Sequence, residues 1–166
     1  MVVHEEGEVR PKTLKDIEEQ MKEVIEENKL EKQASVSYDV KGLRIEFGDN
    51  LVFKTGSSKT NPKFSKTLGG VIKAISEIGP QYRIIVEGHT DDIPLKGRGA
   101  LKSNWELSAA RAIAVMRELE SSGVSESKLG VAAYAHTRPL VKVKDLKRKE
   151  LKKAREKNRR VVVWIE

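Results

Sequence analysis

Asp91 and Arg111 are the residues of this 166-residue chain whose types and setting best suit recognition chemistry. Asp91 stands in the polar cluster His89-Thr90-Asp91-Asp92, just past a short apolar run, and Arg111 lies two turns into an amphipathic segment. A carboxylate takes an ammonium, and a guanidinium takes a carboxylate through two parallel charge-assisted hydrogen bonds. Together they suit a ligand that carries both signs. The same two residues also suit a plain ion pair tying loop to helix, which on physical grounds alone is the more ordinary use of such a pair. His89, Asp91, Asp92 and His136 include metal-ligand types, but their spacing matches neither zinc nor hard-cation templates, so no metal and no cofactor is expected. No nucleophile is spaced with a general base, and no G-x-S-x-G or H-E-x-x-H occurs, so the chain is not expected to be an enzyme.

The elements that must position these residues follow from periodicity. Tyr82 to Val86 is apolar and β-branched, as a strand covered on both faces would be, and Gly88 ends the run or admits a close neighbour. Ser103-Asn104-Trp105-Glu106 is a capping box, and Ser108, Ala112, Val115 and Leu119 form the apolar stripe of the helix it starts. Arg111 lies at the edge of that stripe, not opposite it, so its head can reach the loop above the strand.

Upstream, Leu14, Ile17, Met21 and Val24 make a narrow stripe on a charged helix from Thr13 to Glu31. That stripe fits first a helix packed on its own domain, and second a connector or dimer-forming helix. Alternation from Ser35 to Phe47 predicts a hairpin turning at Lys41-Gly42, and Leu51-Val52-Phe53 should pin the next loop to the core. Asn61-Pro62 opens a helix ended by Gly79-Pro80. Leu129 to Tyr134 is a third strand, Leu146 to Lys157 a basic helix, and Val161 to Ile165 a last strand. The fold class expected is an α/β (α+β) two-layer sandwich, with helices on one face of a mixed sheet. Residues 1–34 form an N-terminal linker or helix and residues 35–166 the domain.

The chain has no cysteine, so disulfides and thiolate metal sites are excluded. No apolar run approaches the roughly 20 residues that span a bilayer, and the N-terminus is not a signal peptide. A location outside the cytoplasm would therefore make this chain a fragment or a processed form. The formal charge of +7 favours anionic partners in general. Its basic stretch from Lys144 to Arg160 lacks interleaved aromatics and contains Asp145, Glu150 and Glu156, so nucleic acid is not the expected partner.

Three ordered motifs resemble the OmpA-like peptidoglycan-binding family: Gly88-His89-Thr90-Asp91; Asn104-x-x-Leu107-Ser108-x-x-Arg111-Ala112-x-x-Val115-x-x-x-Leu119; and Asn158-Arg159-Arg160-Val161. The likeness covers roughly Val36 to Ile165. It implies a βαβαβ-type mixed sheet and non-covalent peptidoglycan binding. It also implies that Asp91 and Arg111 hold the diaminopimelate residue of the wall stem peptide, with Thr90, Asn104 and Leu107 lining the same pocket. Within the family, Ser103 to Ser108 and the long loop Ile93 to Lys102 are most similar to the flagellar-stator (MotB-type) branch. That resemblance implies anchoring of a stator complex from the periplasm, a homodimer, an inner-membrane helix upstream and a MotA-like partner. A general outer-membrane or lipoprotein-type (Pal-type) wall anchor is the alternative, and a metal-dependent wall hydrolase a more distant one. Ala133-Tyr134-Ala135-His136 departs from the Gly-Tyr-Gly turn of many relatives.

Overall fold

Leu43, Ile45 and Phe47 alternate with Gly42, Arg44 and Glu46, and that period of two sets the orientation of the sheet around which the chain folds. The computed structural model describes residues 2–3, 9–96 and 99–166. Its elements are β1 (Val2–Val3), β2 (Val9–Arg10), α1 (Leu14–Glu27), β3 (Ala34–Asp39), β4 (Gly42–Gly48) and the one-turn α2 (Asp49–Val52), then α3 (Pro62–Ser76), β5 (Ile84–His89), α4 (Asn104–Ser121), β6 (Leu129–Ala133), α5 (Arg148–Asn158) and β7 (Arg160–Ile165). β1 and β2 pair in a small separate sheet. The main sheet has five strands in the order β3-β4-β7-β5-β6. It is mixed: β5 and β6 run parallel, and every other pair is antiparallel.

Register explains the core. Leu43, Ile165 and Ile84 lie side by side across three strands, as do Ile45, Val163 and Val86, and then Phe47, Val161 and Gly88. All eight apolar members of these three ranks are buried, and they share one core with Phe64, Leu68, Val71, Ile72 and Ile75 of α3 and with Ala112, Val115 and Leu119 of α4. The third rank ends in Gly88. At that point α4 comes down onto the sheet.

The other face of the sheet is ionic and aromatic. Arg44 pairs with Glu46, and Lys41 and Arg44 stand 5.4 and 5.8 Å from the Trp164 ring centre. The two-layer α/β class expected from the pattern is the observed one.

The boundaries differ where local chemistry competes with periodicity. Thr13 and Asp16 form the reciprocal capping box that starts α1. The helix stops at Glu27, short of Glu31, because the Asn28 side chain takes the Val24 carbonyl at 2.9 Å and Lys29 adopts φ 54°. Ile17 and Met21 are fully buried, in the same core as the sheet, and α1 packs on α3 and β3. Val40 and Lys41, not Lys41-Gly42, make the hairpin turn, since Asp39 pairs with Gly42. α3 ends at Ser76, ahead of Gly79-Pro80, because Ile78 turns into the core and bridges Lys12. β5 begins at Ile84 and runs through Gly88 to His89, so Gly88 lies inside the strand and does not end it.

Candidate functional site

The carboxyl end of β5 delivers His89, Thr90 and Asp91 to one rim of the sheet. Thr90 donates its N–H to the Ala135 carbonyl at 2.8 Å, and its hydroxyl donates to the Asp91 carbonyl at 2.9 Å. Asp91 Oδ1 accepts the Ile93 N–H at 3.0 Å, a short Asx-type turn that fixes the carboxylate.

α4 starts directly against this loop. Ser103 caps it by accepting the Trp105 N–H at 3.2 Å, and its hydroxyl also donates to Glu106. The Asn104 amide donates to the Ile93 carbonyl at 3.0 Å and to the Asp91 carbonyl at 3.3 Å. Leu107 is buried one turn on, and the Ser108 hydroxyl accepts the Ala135 N–H at 3.1 Å. Strand and helix are in backbone contact at this point: a Cβ on Gly88 would sit 2.0 Å from the Ser108 carbonyl oxygen.

Arg111 and Asp91 do not meet. Arg111 is 3% exposed and its guanidinium bonds to Asp49 rather than directly to the β5 loop, although the Asp91 charge still acts on it. Its Nε donates to the Ser57 carbonyl at 3.1 Å, its Nη1 to Asp49 Oδ2 at 3.3 Å, and its guanidinium carbon stands 5.0 Å from the Phe53 ring centre. Asp49 opens α2, where a carboxylate is favoured by the helix N-terminus. Burial pushes the Arg111 guanidinium below its ordinary value, and Asp49 opposes that. An arginine starts so high that it stays charged.

Arg159 supplies the link. Its Nη1 donates to Asp91 Oδ2 at 2.7 Å, and its Nε lies 3.4 Å from Asp49 Oδ2. The site is therefore an alternating row: Arg111, Asp49, Arg159, Asp91. A second pair flanks it, with Arg155 held two-pronged to Asp92 at 2.8 and 3.1 Å, which keeps the Asp92 carboxyl below the usual carboxylate range.

Asp49 and Arg159 are the members that sequence reasoning did not assign. Arg159 lies within the Asn158-Arg159-Arg160-Val161 motif, and Asp49 has the signature of an acidic residue opening a helix. Neither signal says which cation or carboxylate it will meet.

His89 is buried beside the row. Its Nε2 lies 3.2 Å from Glu87 Oε1 and its ring stacks on Tyr134 at 5.4 Å, while Nδ1 is buried without a hydrogen-bond partner among the described residues. Burial lowers its pKa; Glu87 opposes this, and the Arg160 charge adds to it. The unfolded chain then takes up this proton near the ordinary value of about 6.5, before the folded one does. Stability should fall as pH drops below about 6.5, by at most about 1.4 kcal/mol per pH unit for one proton. Thermal melts between pH 7.5 and 5 should show this slope, and His89→Gln should flatten it. Asp92 acts in a separate window, its contribution being lost only below the ordinary aspartate value of about 3.9. Among the described residues, no group of three or more His, Asp or Glu is placed to hold a metal ion. Among them too, no helix is long and apolar enough to cross a membrane.

Comparison with known proteins bears on the fold. The OmpA family model matches residues 52–159. Motility protein B of Bacillus subtilis is 32% identical over 153 residues, covering 92% of this chain and 56% of that protein. A peptidoglycan-associated lipoprotein of Mesorhizobium japonicum is 33% identical over 102 residues, covering 61% of this chain and 57% of that protein. The chain thus spans little more than half the length of these relatives. The crystal structure of the periplasmic domain of Helicobacter pylori MotB superposes with a TM-score of 0.69 at 28% identity, covering 80% of this chain and 81% of that one. With β5, β6, the Gly88-to-Asp91 rim and the Asn104-to-Arg111 helix start all falling inside the matched span, the chain belongs to the OmpA family.

Proposed function

We propose that this chain is the periplasmic, wall-anchoring domain of a flagellar stator protein, and that it holds peptidoglycan without performing chemistry on it. The observation that carries the reading is the row Arg111, Asp49, Arg159, Asp91 at the rim where β5 ends and α4 begins. The free amino-acid end of a diaminopimelate residue carries one ammonium and one carboxylate. Its ammonium would be taken by Asp91, and its carboxylate by Arg111 with Arg159 beside it. Asp49 keeps the buried guanidinium compensated and oriented. Thr90 and Asn104 fix the Asp91 loop from either side, and Leu107 backs the same helix turn. Each charge-assisted bond made away from water is worth roughly 1.5–3 kcal/mol. The names of the similar proteins, Motility protein B and peptidoglycan-associated lipoprotein, support the same ligand class. In the stator reading the chain works as a homodimer, joined through an upstream membrane helix to a MotA-like subunit. The lipoprotein relative favours a general wall anchor as the second reading.

Co-sedimentation with purified sacculi tests the site. The wild-type chain should pellet with the wall. Asp91→Asn and Arg111→Lys should each weaken binding about tenfold or more, the loss of one charge-assisted contact, with thermal stability checked in parallel. Unchanged binding in both variants would sink the assignment. Release of soluble wall fragments would point to a hydrolase. The upstream codons separate the two anchor readings: a membrane helix bearing an aspartate for the stator, a lipobox cysteine for the lipoprotein.

A further inference from the structure

Trp105 stands out as a large apolar side chain left 51% exposed at the edge of the candidate site, whereas the chain's other tryptophan, Trp164, is 8% exposed. Its backbone has a structural task, donating its N–H to the Ser103 cap, but the cap needs nothing from the indole. Trp105 directly follows Asn104, whose amide holds the Asp91 and Ile93 carbonyls. Ile93, whose N–H is held by the Asp91 carboxylate, is itself 49% exposed. Two large apolar side chains therefore flank the loop that carries Asp91, amid polar neighbours, at a place where folding alone does not call for them.

Helix geometry directs the indole toward this rim. Asn104, Ser108 and Arg111 occupy the buried face of α4, and Trp105 is rotated about 100° from Asn104, onto the flank. A helical side chain leans toward the N-terminus of its helix, which for α4 is the end beside Asp91. The row of charges recognises an ammonium and a carboxylate but offers nothing to an apolar surface. Indole is a flat, rigid face with few torsions to lose on binding, and it tolerates water at its edge. The axial C–H groups of a pyranose ring present the matching flat, weakly polar surface.

We propose that Trp105, with Ile93 beside it, is a stacking platform for a sugar ring of the wall polymer, so that the domain grips glycan and stem peptide together. This rests on the peptidoglycan reading above, and it assigns a second chemical class of contact to the same rim. Continuity with the Asp91 loop is what favours a sugar over a second copy of the chain or a lipid surface. The contact adds to affinity without altering the charge row, so peptide and sugar recognition are separable.

The experiment compares two probes on the full chain: a diaminopimelate-containing tripeptide, and the same tripeptide bearing N-acetylglucosaminyl-N-acetylmuramic acid. Affinities are read by calorimetry, and tryptophan emission by acrylamide quenching. The disaccharide-peptide should bind about three- to tenfold more tightly, the size of one aromatic contact at a partly wet site. Trp105→Ala should remove that gain while leaving tripeptide affinity unchanged, and Trp105→Phe should keep part of it. Only the sugar-bearing probe should protect the emission that Trp105→Phe abolishes. Equal affinity for the two probes in the wild type, with tripeptide binding intact, overturns the platform and leaves the peptidoglycan reading standing. Binding of neither probe overturns both. A shift toward monomer, or loss of association with anionic vesicles, in Trp105→Ala without a change in the sugar-dependent gain also overturns the platform, in favour of a second copy or a lipid surface.

Discussion

Asp49→Ala should destabilise the domain by about 3 kcal/mol, the low end for breaking a buried ion pair from one side. Asp49 touches both Arg111 and Arg159, and the side chains of the Arg111–Asp49 pair are only 4% and 11% exposed. Removing the carboxylate leaves a guanidinium buried without its counter-charge. The Ser57 carbonyl and the Phe53 ring remain near it, but neither carries a negative charge. A loss of that size lowers the melting temperature by roughly 10 °C in a domain of this length. Adding Arg111→Met to Asp49→Ala removes the orphaned charge while keeping most of the volume, and it should restore more than half of the loss. A melt of Asp49→Ala within 2 °C of wild type would show that water or Arg159 rearrangement compensates Arg111, and the row would then be no more than a surface feature.

Gly88→Ala should cost at least about 3 kcal/mol, at the upper end for overpacking. The added Cβ would fall 2.0 Å from the Ser108 carbonyl oxygen and 2.8 Å from its carbonyl carbon, both of them backbone atoms with no rotamer to change. Ser108 cannot simply drift, since its hydroxyl accepts the Ala135 N–H at 3.1 Å and donates to the Trp105 carbonyl at 3.0 Å. Gly69 is the control. It lies inside α3 with nothing within 4 Å of a built Cβ, so Gly69→Ala should stabilise by roughly 0.5–1 kcal/mol. Denaturant titrations of the two variants should therefore move in opposite directions. If Gly88→Ala folds, α4 must have lifted from β5, and sacculus binding should weaken even though no ligand-facing residue has changed.

Much of the frame was legible because the signals are local. Thr13 with Asp16, Asn61 before Pro62, and Ser103 ahead of Trp105 each announce a helix start within four residues, and each is made as a side-chain-to-backbone bond. The alternation of Leu43, Ile45 and Phe47 likewise reads directly as one buried face. The loop carrying Asp91 and the helix carrying Arg111 were legible for the same reason. Their partners were not. Arg111 reaches Asp49 across a separation of 62 residues, and Arg159 reaches Asp91 across 68. Such pairings depend on β7 lying next to β5 and on α2 following β4, facts of strand order that no local period encodes. The direct partner of Arg111 is hidden on that account: its place at the edge of the stripe leaves the partner open, and Asp49 supplies it.

Strand order has a further consequence, for the timing of folding during synthesis. β7 is made after every other strand described, yet it lies between β4 and β5, pairing with both along its whole length. Until Arg160 to Ile165 has been made, the β3–β4 hairpin and the β5–β6 pair have no strand between them. The five-stranded sheet therefore cannot close until β7 is in place.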